Sequence, residues 1–399
     1  MSDKLPAGFR FSGIHCGIKA TATDLALVVA DGPVVAAGVY TQNLVHAACI
    51  DWNRNITPGN SLRAIVVNSG NANACTGQRG IDDTQTMAQS VATALSRNEM
   101  PVHPQDVLVL STGVIGQHLP LDRVQIGIVQ AAESLGNSAD DFLAAATAIM
   151  TTDHTRKTVL RSFGSGSKSW SIAAMAKGAG MIGPNMATML SLIVTDFPLT
   201  PEQADLAIRI AVHQSFNRIS VEGHTSTNDA CLLMAPPATG LAANHSGLAT
   251  FQTALNSCAL ELAKLIPADG EGASHLIHIS VTGADDLAGA DRIARTIAMS
   301  NLVKTAVSGA DPNWGRIVSA AGYAGVQFDL GKTSLAINGT VVFRQGEPLP
   351  FDAAALSRLI RGQFDTEISL SVGVGPGNSE HWTSDLTTDY VKLNAEYTT

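Results

Sequence analysis

The chain of 399 residues has only five cysteines, Cys16, Cys49, Cys75, Cys231 and Cys258, and no two of them stand in C-x-x-C spacing. An odd set without paired spacing argues against a disulfide framework and predicts buried thiols of a reducing, cytoplasmic compartment. Positive charge is scarce as well: 25 Lys and Arg stand against 34 Asp and Glu, for a net charge of -9. A footprint for nucleic acid or an anionic membrane is therefore excluded, and the expected partners are small molecules and copies of the chain itself. The opening "MSDKLPAGFRFSG" lacks the apolar run of a signal peptide. Gly178 to Thr195 is uncharged but carries Gly, Pro and Asn, which makes it a poor membrane span. A soluble protein is the expectation.

Familiar catalytic signatures are missing too. No G-x-S-x-G elbow, no Walker A lysine loop and no H-E-x-x-H occurs. The pair in "HLIH", His275 and His278, points to opposite faces if the segment is a strand, so no metal is expected there. No internal repeat or low-complexity linker appears.

What is present is 45% hydrophobic residues, ample for a large core in one or two domains. Short β-like runs, "DLALVV" (24–29), "LRAIVV" (62–67) and "VLVLS" (107–111), alternate with amphipathic helical stretches near 83–97, 121–135 and 141–149. Thr200, Pro201 and Gln203 form a helix-start signature for the segment after 200. Further helices are predicted near 247–264, 284–299 and 351–361, with strands at 274–281 and 367–374. The weakly signalled domain boundary is placed near 280, giving segments 1–280 and 281–399.

The stretch "KGAGMIGPNMATML" (177–190) carries the chemistry. Its "GAGMIG" (178–183) satisfies the dinucleotide fingerprint G-x-G-x-x-G, which would make the chain a nicotinamide-dependent oxidoreductase. That fingerprint needs a helix after the glycines. Here Pro184 and Asn185 follow, and then the β-branched "MLSLIVT" (189–195), a strand. Thr188 remains, behind a Gly-Pro-Asn turn. A threonine that becomes a chain N-terminus carries its own base in the freed α-amine, whose unperturbed pKa is about 8. Cleavage before it would follow from attack of the hydroxyl on the Ala187 carbonyl. Pattern alone leaves this open beside a purely structural threonine at the start of a strand.

Seven ordered segments carry a resemblance: "KGAGMIGPNMATML", "VNSGNANACTG" (67–77), "STGVIG" (111–116), "TSTND" (225–229), "DGEGA" (269–273), "DPNWGRI" (311–317) and "DLTTDYVKLNAEYTT" (385–399). The chain resembles the ornithine acetyltransferase family, the bifunctional glutamate N-acetyltransferases. The resemblance implies an α+β fold of αββα-sandwich type, similar to N-terminal nucleophile hydrolases, with a smaller C-terminal α/β domain. It implies self-cleavage at Ala187-Thr188 and assembly as an α2β2 heterotetramer. It also implies ping-pong acetyl transfer from N-acetylornithine to glutamate in arginine biosynthesis, through an acyl-Thr188. No cofactor is expected, although some members also use acetyl-CoA as a donor.

By the same resemblance Thr112 and Gly113 form the oxyanion hole, Lys177 and Thr151 bind substrate, Glu271 holds an amine or moves protons, and Asn394 and Thr399 are C-terminal substrate contacts. Three positions depart from the family pattern, each installing a histidine: His224 where an acid is usual, His154 in "TTDH" and His275 in "GEGASH". They are candidates for altered specificity, and they keep a paralogue acting on another amino acid, or an amidohydrolase, as the alternative. A non-catalytic binding module would be expected to lose Thr188 or Thr112, and neither is lost.

Overall fold

The computed structural model describes residues 4–96, 101–165, 168–183, 189–238 and 245–396. Its fold is α+β, in two compact units. One consists of the chain up to Asn217 with His224–Ile266, the other of Arg218–Gly223 and the chain from Pro267 on.

The first unit runs β1 (Phe9–Ile14), β2 (Leu25–Tyr40), α1 (Ala48–Ile56), β3 (Gly59–Asn71), α2 (Gly77–Leu95), β4 (Val107–Val114), α3 (Leu121–Glu133) and α4 (Ala139–Ala148). It continues with β5 (Lys157–Ser165), β6 (Lys168–Lys177), β7 (Leu190–Thr195) and α5 (Pro201–Gln214). After β8 (Ile219–Ser220), which belongs to the second unit, come β9 (Ala230–Ala235) and α6 (His245–Ala268). The start of α5 follows the sequence signature: Thr200 Oγ1 accepts from the Gln203 N–H, and Gln203 answers to the Thr200 N–H.

The strands form one sheet in the order β4-β3-β2-β9-β7-β6-β5, with β1 also on β2. The 16-residue β2 reads as two apolar runs, 25–30 and 34–39, parted by Asp31, Gly32 and Pro33, and the first run is covered on both faces. Ala26, Val28 and Ala30 belong to one core, and Leu25, Leu27 and Val29 to another. Its first part pairs with β3, its last part with β9, and the β2–β3 register shifts between Val29 and Val34.

The sheet folds over along this strand. Five strand spacings separate β4 from β6, about 24 Å on a flat sheet. Yet Lys177 Nζ at the end of β6 lies 3.0 Å from Thr112 Oγ1 on β4. The inner core between the two layers joins Ile65, Leu108 and Leu110 with Met175, Leu192 and Leu232, and Phe11 meets Phe142 edge-on at 5.2 Å. Outside, α1, α2 and α3 cover the β2–β3–β4 side, and α5 packs on β2 and β9. Gln252 of α6 donates to the Ala207 carbonyl of α5. The four layers are those of an αββα sandwich.

The second unit contains β10 (Leu276–Ala284), α7 (Leu287–Ala298), α8 (Asn301–Ser308), α9 (Trp314–Gly322), β11 (Ser334–Ile337), β12 (Thr340–Arg344), β13 (Glu347–Pro348), α10 (Ala353–Gly362), β14 (Asp365–Ser371), β15 (Gly377–Ser384) and α11 (Thr388–Glu396). Its sheet runs β13-β12-β11-β14-β10-β15-β8. The division at Ile266/Pro267 differs from the boundary expected near 280, which would cut β10 in two. A strand hydrogen-bonded on both sides, here to β14 and β15, cannot be shared between units. Among the described residues no helix is long and apolar enough to cross a membrane.

Between β1 and β2 the buried Asp24 carboxylate accepts the backbone N–H groups of Cys16, Gly17, Ile18 and Lys19 at 2.6–3.2 Å. Burial pushes its pKa up, but these N–H groups outweigh burial and hold it below the usual carboxylate value. Replacing Asp24 by Ala strips four amides of their acceptor. The expected loss is about 3 kcal/mol, read as a lower urea midpoint; a midpoint equal to wild type would contradict the role.

Candidate active site

The first unit brings its candidate residues to one end of the inner core. Thr112 has the same parity on β4 as Leu108 and Leu110, and so points between the layers. Lys177 faces it from β6, aligned with Leu190 of β7, which is aligned in turn with Ala230 of β9. Both side chains are buried, and the lysine ammonium donates to the threonine hydroxyl. A hydroxyl whose oxygen accepts from a cation has its own proton left to give, and is polarised as a donor.

Gly113 is next on β4, with φ +131°. It lies beside Gly70, itself at φ +102°, and a Cβ on Gly113 would stand 2.3 Å from the Gly70 carbonyl carbon. Only glycine fits that approach. The β3–β4 ladder loses register just there, at Gly70/Asn71, as strands often do beside active sites.

Behind them "VNSGNANACTG" forms a polar lattice. Asn68 Oδ1 accepts from Ser111 Oγ, the Asn68 amide donates to the Asn71 carbonyl, and the Asn71 amide donates to Gln117 and His118 carbonyls. Asn73 takes a left-handed φ of 47°, which asparagine tolerates better than most side chains.

Charge gathers around Asp153. Its Oδ1 receives the Lys157 ammonium at 2.7 Å, with both side chains fully buried, and the Gly178 N–H at 2.6 Å. Its Oδ2 receives the Thr151 N–H at 2.9 Å. Burial raises the Asp153 pKa, but Lys177, Lys157 and the Gly178 N–H outweigh it, so the group stays ionised. Lys19 is close enough to sense the same charges. Its ammonium donates to the Thr23 and Met150 carbonyls, and burial, with Lys177, brings its pKa down to about 8 against the pull of Asp24 and Asp153. Lys19, Lys157 and Lys177 against the two aspartates Asp24 and Asp153 leave a surplus of one positive charge, suited to a carboxylate ligand.

In the second unit Glu271 and Asn394 meet: the Asn394 amide donates to Glu271 Oε2 at 2.9 Å. The contact arises because α11 docks on the "DGEGA" loop, where Thr387 donates to the Gly272 carbonyl and the Tyr390 backbone crowds Gly272 at φ +67°. Burial pushes the Tyr390 hydroxyl up to about 12, and Glu222 and Glu271 add to it.

The three histidines separate. His154 and His224 are exposed in the first unit, whereas His275 is buried in the second. Its ring bonds Ser274, Asp385 and the Ile360 carbonyl, which gives it an internal structural use. His278 stacks on Trp382 and bonds Glu380, away from His275 as strand parity requires. Among the described residues no group of three His, Cys, Asp or Glu could hold a metal.

The fingerprint "GAGMIG" follows β6 and leads toward β7, which pairs antiparallel with β6, so among the described residues a strand and not a dinucleotide-binding helix comes next. Ala187, Thr188, the Pro184–Asn185 turn and Thr399 lie outside the described residues. Sequence reasoning missed Lys19 and passed over Asp153, Asn228 and Asp229, although the last three stand inside quoted motifs.

The Asp153 pair sets a pH dependence. Its folded pKa lies below the unfolded value of about 4, so its stabilisation is complete above that value and is lost as pH falls through the folded pKa. Lys157→Met should cost about 3 kcal/mol at pH 7, with a smaller gap from wild type at pH 3. Thermal melts at both pH values check this, and a gap that widens in acid would contradict it.

Comparison with known proteins gives the family. The ArgJ family pattern matches residues 10–399. The chain is 47% identical to an arginine biosynthesis bifunctional protein ArgJ from Rhodopirellula baltica, covering 100% of this chain and 97% of that one. It is 44% identical to the protein of the same name from Symbiobacterium thermophilum, over 99% of this chain and 98% of that one. A solved arginine biosynthesis bifunctional protein ArgJ from Bacillus halodurans is 38% identical with a TM-score of 0.50, covering 53% of this chain and 100% of that chain. A match of this extent, over a sandwich that carries Thr112, Gly113 and Lys177 together, places the chain in the ArgJ family.

Proposed function

We propose that this chain is a glutamate N-acetyltransferase of arginine biosynthesis that cuts itself before Thr188 and then carries acetyl on that threonine from N-acetylornithine to glutamate. The observation that carries the reading is the Lys177–Thr112 hydrogen bond beside Gly113. It puts a polarised hydroxyl and a glycine N–H next to a surplus of positive charge at one end of the core. Attack of the Thr188 hydroxyl on an acyl carbonyl creates an oxyanion, which Thr112 and Gly113 stabilise as donors. The amine freed by cleavage takes the hydroxyl proton, and returns it to the leaving amine. Lys177 binds the α-carboxylate of the amino acid.

Thr151 lies beside Lys177 through Asp153. Glu271, with Asn394 as its hydrogen-bond partner, receives the amine end of the substrate, and Thr399 adds a contact at the C-terminus. The 53% share matched by the solved Bacillus halodurans chain equals the share of this chain from Thr188 to Thr399, which supports division there. The α and β chains assemble as an α2β2 heterotetramer in the cytoplasm, without a cofactor. Acetyl-CoA serves as a second acetyl donor in the bifunctional reading.

Intact-mass analysis is expected to find two chains, Met1–Ala187 and Thr188–Thr399, in wild type and one uncut, inactive chain in Thr188→Ala. A wild-type protein that is fully active as one chain ends the proposal. In cleaved Thr112→Ala the turnover number should fall about a hundredfold with KM nearly unchanged, because the lost bond forms in the transition state. A raised KM at unchanged turnover would make Thr112 a ground-state binder instead.

A further inference from the structure

The segment "TSTND" (225–229) carries no role in the reaction as described, yet its last two residues reach both halves of it. The Asn228 amide donates to the Ser111 carbonyl at 2.8 Å and the Ala72 carbonyl at 2.7 Å. Ser111 is the residue before Thr112. Asp229 Oδ1 accepts the Met189 N–H at 2.8 Å, and the Ala230 N–H donates to the Met189 carbonyl. Met189 is the residue after Thr188. Both side chains are buried, at 4% and 1% exposure.

We propose that Asn228 and Asp229 are a positioning pair that sets the nucleophile against the oxyanion donors, an inference that rests on the reading of Thr188 and Thr112 above. Asn228 lies in the bend that leads into β9 and Asp229 directly precedes that strand, and their side chains reach different partners. One dipeptide therefore holds β4 with one side chain and the head of β7 with the other, and a single peptide unit fixes the spacing between them. The pair is itself held. The Asn228 N–H donates to Ser226 Oγ, Thr227 Oγ1 donates to Asn228 Oδ1, and the Thr41 N–H donates to the Asp229 carbonyl.

The second Asp229 oxygen is buried with no hydrogen-bond partner among the described residues. Burial holds this carboxyl well above the usual carboxylate range, against the Met189 N–H and Lys177. What the geometry asks of Asp229 is an acceptor oxygen for the Met189 N–H, a part that an asparagine oxygen can also play.

The test uses the full-length chain with Asn228→Ala, Asp229→Ala and Asp229→Asn, reading self-cleavage by intact mass, kcat and KM on cleaved protein, and the thermal midpoint. A displacement of about 1 Å costs about a hundredfold in rate. Both alanine variants should slow cleavage and lower kcat by at least about thirtyfold with KM within about threefold, while Asp229→Asn recovers to within about fivefold of wild type. A folded but uncut Asp229→Ala beside a cut Asp229→Asn supports the proposal equally. Alanine variants with wild-type cleavage and kcat overturn it, as does Asp229→Asn as impaired as Asp229→Ala. If Asp229→Ala does not fold, Asp229→Ser, too short to reach the Met189 N–H, takes its place with the same two outcomes. Thr188→Ala is run alongside. Its full activity would remove the underlying reading, whereas its inactivity beside a normal Asp229→Ala sinks the positioning pair alone.

Discussion

The hydrogen bond from Lys177 to Thr112 exists only because an eight-stranded sheet folds over on itself. The two residues stand on strands far apart in the order of the sheet, and the long β2 brings them face to face by serving both layers. The first unit's share of the proposed site depends on that closure. The apolar inner faces of β3, β4, β6, β7 and β9 drive it, since each must bury its side chains against another layer. Polar chemistry is confined to the ends of those strands, where the apolar alternation runs out at Thr112, Lys177 and Asn228.

Burying lysines beside a core is costly unless their charge is met. Lys157 finds Asp153 within 2.7 Å, and Asp153 also takes the Gly178 and Thr151 N–H groups. A buried ion pair of this kind adds little to net stability, but removing either partner strands the other. Its value here is positional. Asp153 anchors Gly178, the residue after Lys177, and so fixes where the Lys177 ammonium points. Lys19 is held by two carbonyls in a loop that Asp24 organises, and it adds a third positive charge to the same region. The field there is built from residues of three separate stretches of chain.

The second unit has its own logic. The "DGEGA" loop and α11 are joined by Thr387, Tyr390 and the Asn394–Glu271 bond, so the acidic group proposed for the amine end of the substrate depends on the last helix for its orientation. His275 is part of the packing around Asp385. His154 and His224, by contrast, are exposed.

By itself the sequence determined the family and the elements with the strongest local signals. The capping residues Thr200 and Gln203, the β-branched run 189–195 and the run 24–29 at the head of β2 are local signals, written within one turn or one strand. The dinucleotide fingerprint was refused on the same local grounds, because a strand and not a helix follows it. The seven motifs named Thr112, Gly113, Lys177, Glu271 and Asn394. Tertiary structure alone decided who touches whom. The Lys177–Thr112 bond spans 65 residues of chain, and the Asn228–Ser111 bond 117. No periodicity or cap encodes such a pairing, which follows from how the sheet closes. For the same reason Asp153, Asn228 and Asp229 looked like ordinary polar residues within their motifs until burial gave each a single set of partners.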